Sequence, residues 1–190
     1  MTSVEIVEYD PGWPQAFRNV GARVRSALGE RATRIDHIGS TAVPGLAAKD
    51  IIDVQVSVET VEDLERTGLA LAGAAWILSD VIAGDHDVPG LPPDQRKRFL
   101  REPPGDRRVN VHVRVLGHAN QRYPLVVRDY LRAHPLSAQA YATLKRDLAQ
   151  LFPDDSARYA DTKDAACDLI YLAAEDWAQS VAWDAGAPDA

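Results

Sequence analysis

The amino-acid sequence predicts an α+β protein, a mixed β-sheet with flanking helices followed by a helical C-terminal part. Two observations lead there. Up to residue 115 short apolar strands alternate with stretches of helical period, and from residue 123 onward the spacing is helical with only short breaks. No linker-like composition divides the halves, so a single domain over residues 1–182 is expected, with a flexible tail at 183–190. A chain of 190 residues is long enough to bury one continuous core.

"VEIVEY" (4–9) alternates enough for a short strand, and "DPGWP" then turns the chain. Pro14 suits the first turn of a helix carrying Phe17, Val20, Val24 and Leu28 on one face, with Gly29 as its stop. A strand through Ile35 and Ile38 leads into Gly39-Ser40. Residues 40–49 read as a short helix or turn broken at Pro44-Gly45, and "DIIDVQVSV" (50–58) is the next strand. Val61, Leu64, Leu69 and Leu71 mark a helix ending near Gly73, and "AWIL" (75–78) a short strand. Residues 80–108, rich in Pro, Gly, Asp and Arg, form a long excursion of the functional kind. "VNVHVRV" (109–115) is the clearest strand, with four valines on one face and Asn110, His112 and Arg114 on the other. Three helices follow, "YPLVVRDYLRAH", "SAQAYATLKRDLAQLF", and one from about Tyr159 to Val181, separated by short breaks at His134-Pro135 and Pro153-Asp154.

Composition limits the function classes. With 46% hydrophobic and 26% charged residues the chain is a soluble globular type, and a net charge of −7 gives no overall field that would draw in a nucleic-acid backbone. No apolar run approaches membrane-spanning length, and the N-terminus lacks the basic start and apolar core of a signal peptide, so a cytoplasmic protein is expected. The single cysteine, Cys167, falls in a helical pattern and reads as a small buried hydrophobe. No paired Cys/His spacing suggests zinc. Neither a G-x-x-x-x-G-K-[ST] run nor a G-x-S-x-G elbow occurs.

The residues with chemical potential begin at Gly39-Ser40, a glycine turn after a strand that lets backbone amides and a hydroxyl meet an anion. Asp53 sits on the following apolar strand. A nucleotidyl-transfer site needs a phosphate-gripping turn beside carboxylates that hold a divalent metal, spaced acid-apolar-acid so that both share a face. Here that spacing reads Asp53-Val54-Gln55, and Gln55 is neutral. Asp50 points to the opposite face and is a poor substitute. "VNVHVRV" supplies no acid, although His112 could ligate a softer metal, act as a base or bind phosphate. Arg128 and Arg132 share a helix face, and Lys145, Arg146 and Lys163 follow. Convergence of such cations with Lys49 on Ser40 would build a phosphate pocket in an acidic protein, over which Arg96, Lys97, Arg98 and Arg101 could close.

"HIGSTAVPGLAAKDIIDVQV", "VNVHVRV", "RDYLRAHP", "YATLKRDLA" and "YADTKDAA" together resemble the GrpB family, over about Val7 to Trp177. The resemblance implies a nucleotidyltransferase-like fold, distantly similar to the DNA polymerase beta-type superfamily. Members stand alone or are fused behind dephospho-CoA kinases in some actinobacteria, where a role in folding of the kinase has been suggested. The pattern carries over to His37, Gly39, Ser40, Thr41, Pro44, Gly45, Lys49 and Asp53, and to His112, Arg128, Asp129, Tyr130, Arg132, His134, Tyr141, Lys145 and Lys163. Asp50 stands where the family commonly has proline. The resemblance implies that the missing second acid is a family habit.

Two functions follow as expectations. The first is a transferase: His37, Gly39, Ser40, Thr41, Lys49, Arg128, Arg132, Lys145 and Lys163 bind a nucleotide or phosphorylated small molecule, Asp53 holds one Mg²⁺, and Asp53 with His112 carries the chemistry. The second is a non-catalytic accessory module with a protein partner, motivated by the lost acids. Nucleic-acid binding is disfavoured by the acidic charge and the absence of an aromatic-basic platform.

Overall fold

The computed structural model describes residues 3–92 and 96–190. Five strands form one sheet in the order β1-β2-β5-β4-β3: β1 (Arg34–Ile38), β2 (Ile52–Val58), β3 (Ile77–Leu78), β4 (Arg98–Arg101) and β5 (Val109–Val115). The central β2 and β5 run parallel, with Asp53 paired to Asn110 and Gln55 to His112; β1, β4 and β3 add antiparallel. Five helices complete the α+β architecture: α1 (Trp13–Leu28), α2 (Val61–Gly73), α3 (Ala119–Ala133), α4 (Pro135–Leu151) and α5 (Ser156–Ser180).

Strand alternation divides the sheet into two unlike faces. Ile52, Val54, Val56 and Val58 of β2 and the four valines of β5 point one way, into a core with Trp13, Phe17, Val20 and Val24 of α1 and Leu64 and Leu71 of α2. Burial of these side chains, each contributing about 1.5–3 kcal/mol, makes this the main source of stability. Asp53, Gln55, Ser57, Asn110, His112 and Arg114 occupy the opposite face, where the start of α3 docks: Gln55 Nε2 donates to the Gln121 carbonyl and Gln121 Nε2 to Ser57 Oγ. A second apolar cluster joins Val43, Leu46 and Ala47 to Leu131, Ala138 and Tyr141, fastening the 40–49 segment to α3 and α4. The candidate site therefore lies between the polar face of the sheet and the helical part.

Four expectations differ from the structure. Residues 4–9 make only an isolated bridge, Val7 to Ala48, because their neighbour is the irregular 44–49 turn and offers no ladder. The excursion hides β4, whose Phe99 and Leu100 are buried on opposite faces between flanking arginines, a pattern too short to show a period; residues 93–95 of that excursion, like residues 1–2 of the expected domain, lie outside the described residues. Helix α5 starts three residues earlier than Tyr159, with Asp155 accepting from Arg158 N as its cap. The tail expected to fray instead lies along the edge strand β1. Asp189 and Ala190 donate backbone N–H groups to the Ile35 carbonyl, and Asp189 Oδ2 accepts from Arg128 Nη1 and the His37 amide. An unpaired strand edge and a buried guanidinium give that segment its partners.

Candidate functional site

A cavity of about 880 Å³ opens where β1 ends and β2 begins, walled by the 39–53 segment, the β4–β5 connection, and helices α3, α4 and α5. Its floor is set by Gly39. With φ of 71° this residue turns the chain out of β1 into a single 3₁₀ turn (Ser40–Ala42), in a backbone region that L side chains rarely adopt. A Cβ there would also stand 2.5 Å from Asp53 Oδ2. Replacing Gly39 with alanine should thus cost about 2 kcal/mol or more and push the Asp53 carboxylate aside. Chemical unfolding of the variant checks this, and a change below about 0.5 kcal/mol would contradict it. Behind the turn, His37 Nε2 lies 3.0 Å from Thr41 Oγ1, which bonds the Ile51 carbonyl, so the turn is pinned from its buried side.

Ser40, on the open side, meets cations from the helices. Lys145 Nζ donates to Ser40 Oγ at 2.9 Å and to the Ala47 carbonyl at 2.5 Å. Lys163, one helix away, donates to Asp164, and Lys49 lies 3.9 Å over the Tyr159 ring. Tyr141 and Lys145 on α4, and Tyr159, Lys163 and Cys167 on α5, recur every four residues, which aligns each set on the face toward the cavity. Burial, with Lys163 nearby, lowers the Lys145 ammonium to about 7; burial, with Lys163 and Arg108, lowers Lys49 to about 8.

Asp53 faces this basic wall. Its Oδ1 accepts from Asn110 Nδ2 at 2.8 Å and lies 3.8 Å from His112 Nε2. Burial pushes the carboxyl up, but His112 and Asn110 outweigh that and hold it below the usual range. His112 is pushed down to about 4, first by burial and then by Arg114, so it is neutral near pH 7. Its Nδ1 lies 3.4 Å from Arg114 Nη2, and its Nε2, 3.8 Å from Asp53 Oδ1, is on the side of that carboxylate. Of the two ring nitrogens expected to serve as base or metal ligand, Nδ1 is thus occupied by Arg114, and the ring sits beside Asp53.

The place of a second acid is filled in a specific way. Gln55 is 0% exposed, and its Oε1 accepts from Arg114 Nη1 at 2.8 Å. Arg114 in turn forms a two-pronged ion pair with Asp85, an acid delivered by the long excursion. A guanidinium therefore stands where a metal ion would need oxygen ligands, and among the described residues no three His, Cys, Asp or Glu side chains converge on one point. The donor set does not fit the acidic Mg²⁺ centre of a nucleotidyl-transfer site, and the single ion assigned to Asp53 loses its supporting ligands.

Of the residues expected at the site, Gly39, Ser40, Thr41, Lys49, Asp53, His112, Arg128, Lys145 and Lys163 line the cavity, while His37 and Arg132 do not. Arg128 is present but spent: its guanidinium holds Asp129 through two nitrogens, Asp189, and the His37 carbonyl. Arg132 bonds the Ala42 carbonyl and Asp129. These two, expected among the phosphate ligands, instead clamp α3 to β1 and the turn: Asp129, the one acid in "RDYLRAHP", holds both, and Asp189 of the tail also holds Arg128. On the excursion, Arg101 alone of the four expected cations lines the cavity; Lys97 pairs with Asp85 and Arg98 with Glu65. Missed were Arg107 and Arg108, which also line it, although the doublet just before β5 was visible as a signal.

Comparison with known proteins gives the chain a family. The GrpB protein family matches residues 3–172. The chain belongs to the GrpB family. The crystal structure of GrpB from Enterococcus faecalis is similar at 32% identity and a TM-score of 0.73, over 91% of this chain and 99% of that one. A UPF0157 protein of Halalkalibacterium halodurans is 36% identical over 88% of this chain and 80% of its own length. A dephospho-CoA kinase of Mycolicibacterium paratuberculosis is 34% identical over 95% of this chain, which spans only 48% of the kinase. The α+β architecture expected from the sequence is the one observed, and it is shared with that GrpB structure. Asp50, at the cavity rim, accepts from Trp13 Nε1 at 2.7 Å and pairs with Arg107. No helix among the described residues is long and apolar enough to cross a membrane.

Proposed function

We propose that the cavity binds the phosphate of a nucleotide or phosphorylated small molecule through Ser40, Lys49, Lys145 and Lys163, without an acidic two-metal centre. One observation carries the reading: a serine hydroxyl after a glycine turn and three lysines from separate elements face one cavity, while Arg114 takes the oxygen of Gln55 that metal chemistry would need. Lysine ammoniums are point charges suited to phosphate, and in a partly desolvated cleft they are worth more than at the surface. Asp53, held by Asn110 and with His112 beside it, faces the group beyond the phosphate and selects for a hydroxyl or amine there.

Calorimetric titration with ATP, CTP and pyrophosphate, each with and without Mg²⁺, tests this. Binding that survives removal of Mg²⁺ is expected; no binding of any phosphorylated compound would overturn it. Lys145→Met should lower affinity about 100-fold, or about 3 kcal/mol, because it removes a desolvated charge. Its fold should persist, since the relief of burying an ammonium offsets the Ala47 carbonyl left unpaired, at about 1–3 kcal/mol.

A second reading, a module that stabilises a protein partner, is supported by the match to half of a dephospho-CoA kinase. Refolding of that kinase's remaining half with and without added chain would test it, and equal yields would count against it.

A further inference from the structure

Lys145 is more than a cation at the rim. The residue is 2% exposed and its amine lies 4.6 Å over the Tyr141 ring, yet it lines the cavity together with Ser40. The Ala47 carbonyl can only accept, so one N–H of Nζ is fixed on it. Ser40 Oγ, 2.9 Å away, is both donor and acceptor, and that contact works in either direction. The charged and titratable groups around the amine are Lys163 and Cys167 from α5, Asp53 from β2, and Tyr141 and Arg146 on its own helix. Burial and then Lys163 lower the ammonium to about 7, so a neutral amine with its lone pair toward the hydroxyl is populated near neutral pH. A hydroxyl within hydrogen-bond reach of a buried amine, on a half-buried turn facing a basic cavity, is the arrangement that activates serine as a nucleophile.

Building on the phosphate-binding reading, we propose that Ser40 and Lys145 form a nucleophile and base pair through which Ser40 Oγ accepts a phosphoryl group from a phosphorylated small molecule in the cavity. The Oγ–P bond forms as the bond from phosphorus to the leaving oxygen breaks. The leaving oxygen takes that electron pair, and the Ser40 proton passes to Lys145 Nζ. Lys49 and Lys163 neutralise charge on the phosphoryl oxygens. An acyl phosphate suits the step, since its carboxylate departs without needing a proton.

Acetyl phosphate is the probe. The full chain, Ser40→Ala and Lys145→Arg are incubated with it and followed by intact mass and peptide mapping, with inorganic phosphate binding measured in parallel by calorimetry. One phosphoryl group on Ser40 is expected in the parent chain and none in Ser40→Ala. Lys145→Arg keeps a cation but cannot take a proton, and should be labelled about 100-fold more slowly. A parent chain that binds phosphate yet leaves Ser40 unmodified would overturn this pairing while sparing the binding reading; absence of binding of phosphate, pyrophosphate, ATP and CTP alike would overturn both. Acetylation of Lys145 in place of phosphorylation, or labelling of Lys145→Arg at the parent rate, also refutes it.

Discussion

Replacing Asp85 with alanine should destabilise the fold by about 3–5 kcal/mol, although Asp85 touches no proposed ligand. Its carboxylate receives Arg114 through two nitrogens at 2.8 Å, Lys97 at 2.5 Å and Asn120 at 3.1 Å. Arg114 and Lys97 are only 5% and 7% exposed, so deleting the acid strands two cations away from water. Burial alone would raise the Asp85 carboxyl, but Arg114 and Lys97 hold it far below the usual carboxylate range. The contribution is therefore complete above about pH 4 and does not weaken through neutral pH. An intact ion pair is a poor guide to net stability, but breaking one buried partner away from two others is costly in nearly any dielectric. Adding Arg114→Met and Lys97→Met to the alanine variant should recover a large part of the loss, because apolar groups of similar volume need no counter-ion. Urea unfolding of the single and triple variants measures both; a single-variant loss below about 1 kcal/mol would show that these cations reach water. Arg114 also holds Gln55 and stands beside His112, so the same change should loosen the floor under Asp53 and weaken phosphate binding.

That network explains which parts of the site were legible in the sequence. Period-two alternation placed Asp53, Gln55, Asn110, His112 and Arg114 on one face because the side-chain direction of a strand is local information. Gly39-Ser40 was legible for the same reason, since the turn follows directly on β1. What Gln55 does there was not, because its partner's own partner, Asp85, comes from an excursion whose path no periodicity describes. Lys145 and Arg128 show the same limit. Both are helical cations with nearby acids in sequence, yet Lys145 reaches Ser40 while Arg128 is consumed by Asp129 and by Asp189 of the tail. The tail's docking rests on complementarity with a strand edge and a buried guanidinium, features that exist only once the fold is assembled. Strand β4 escaped notice because four residues with two central apolar side chains hold no period.

Stability should rise from acid toward alkaline pH, with a first loss as pH falls below 6.5. His37 and His112 are both pushed from 6.5 to about 4, chiefly by burial. Each is neutral in the folded chain and takes up a proton more readily when unfolded, so its contribution is complete above pH 6.5 and is lost as pH falls toward 4. A shift of that size is worth about 3 kcal/mol per histidine, and the pair together on the order of 6 kcal/mol, a large share of a typical domain's stability. The lysines extend the slope upward. Lys145 at about 7 and Lys49 at about 8 also bind protons more weakly when folded, so stability keeps rising with pH above neutrality toward their unfolded value of 10.5. Tyr159 and Tyr171, both raised to about 12 by burial, set the opposite limit, because their contribution disappears as pH climbs through and past 10. A maximum near pH 10 is therefore expected, above the usual range of about 5–8. Urea titrations followed by tryptophan fluorescence at half-unit intervals from pH 4.5 to 10 would trace the curve. His112→Gln, which keeps a hydrogen-bonding group but cannot charge, should remove about half of the acid slope. A stability that stays level between pH 7 and 5 would mean that the two rings protonate freely in the folded chain, and the neutral His112 beside Asp53 would have to be abandoned with them.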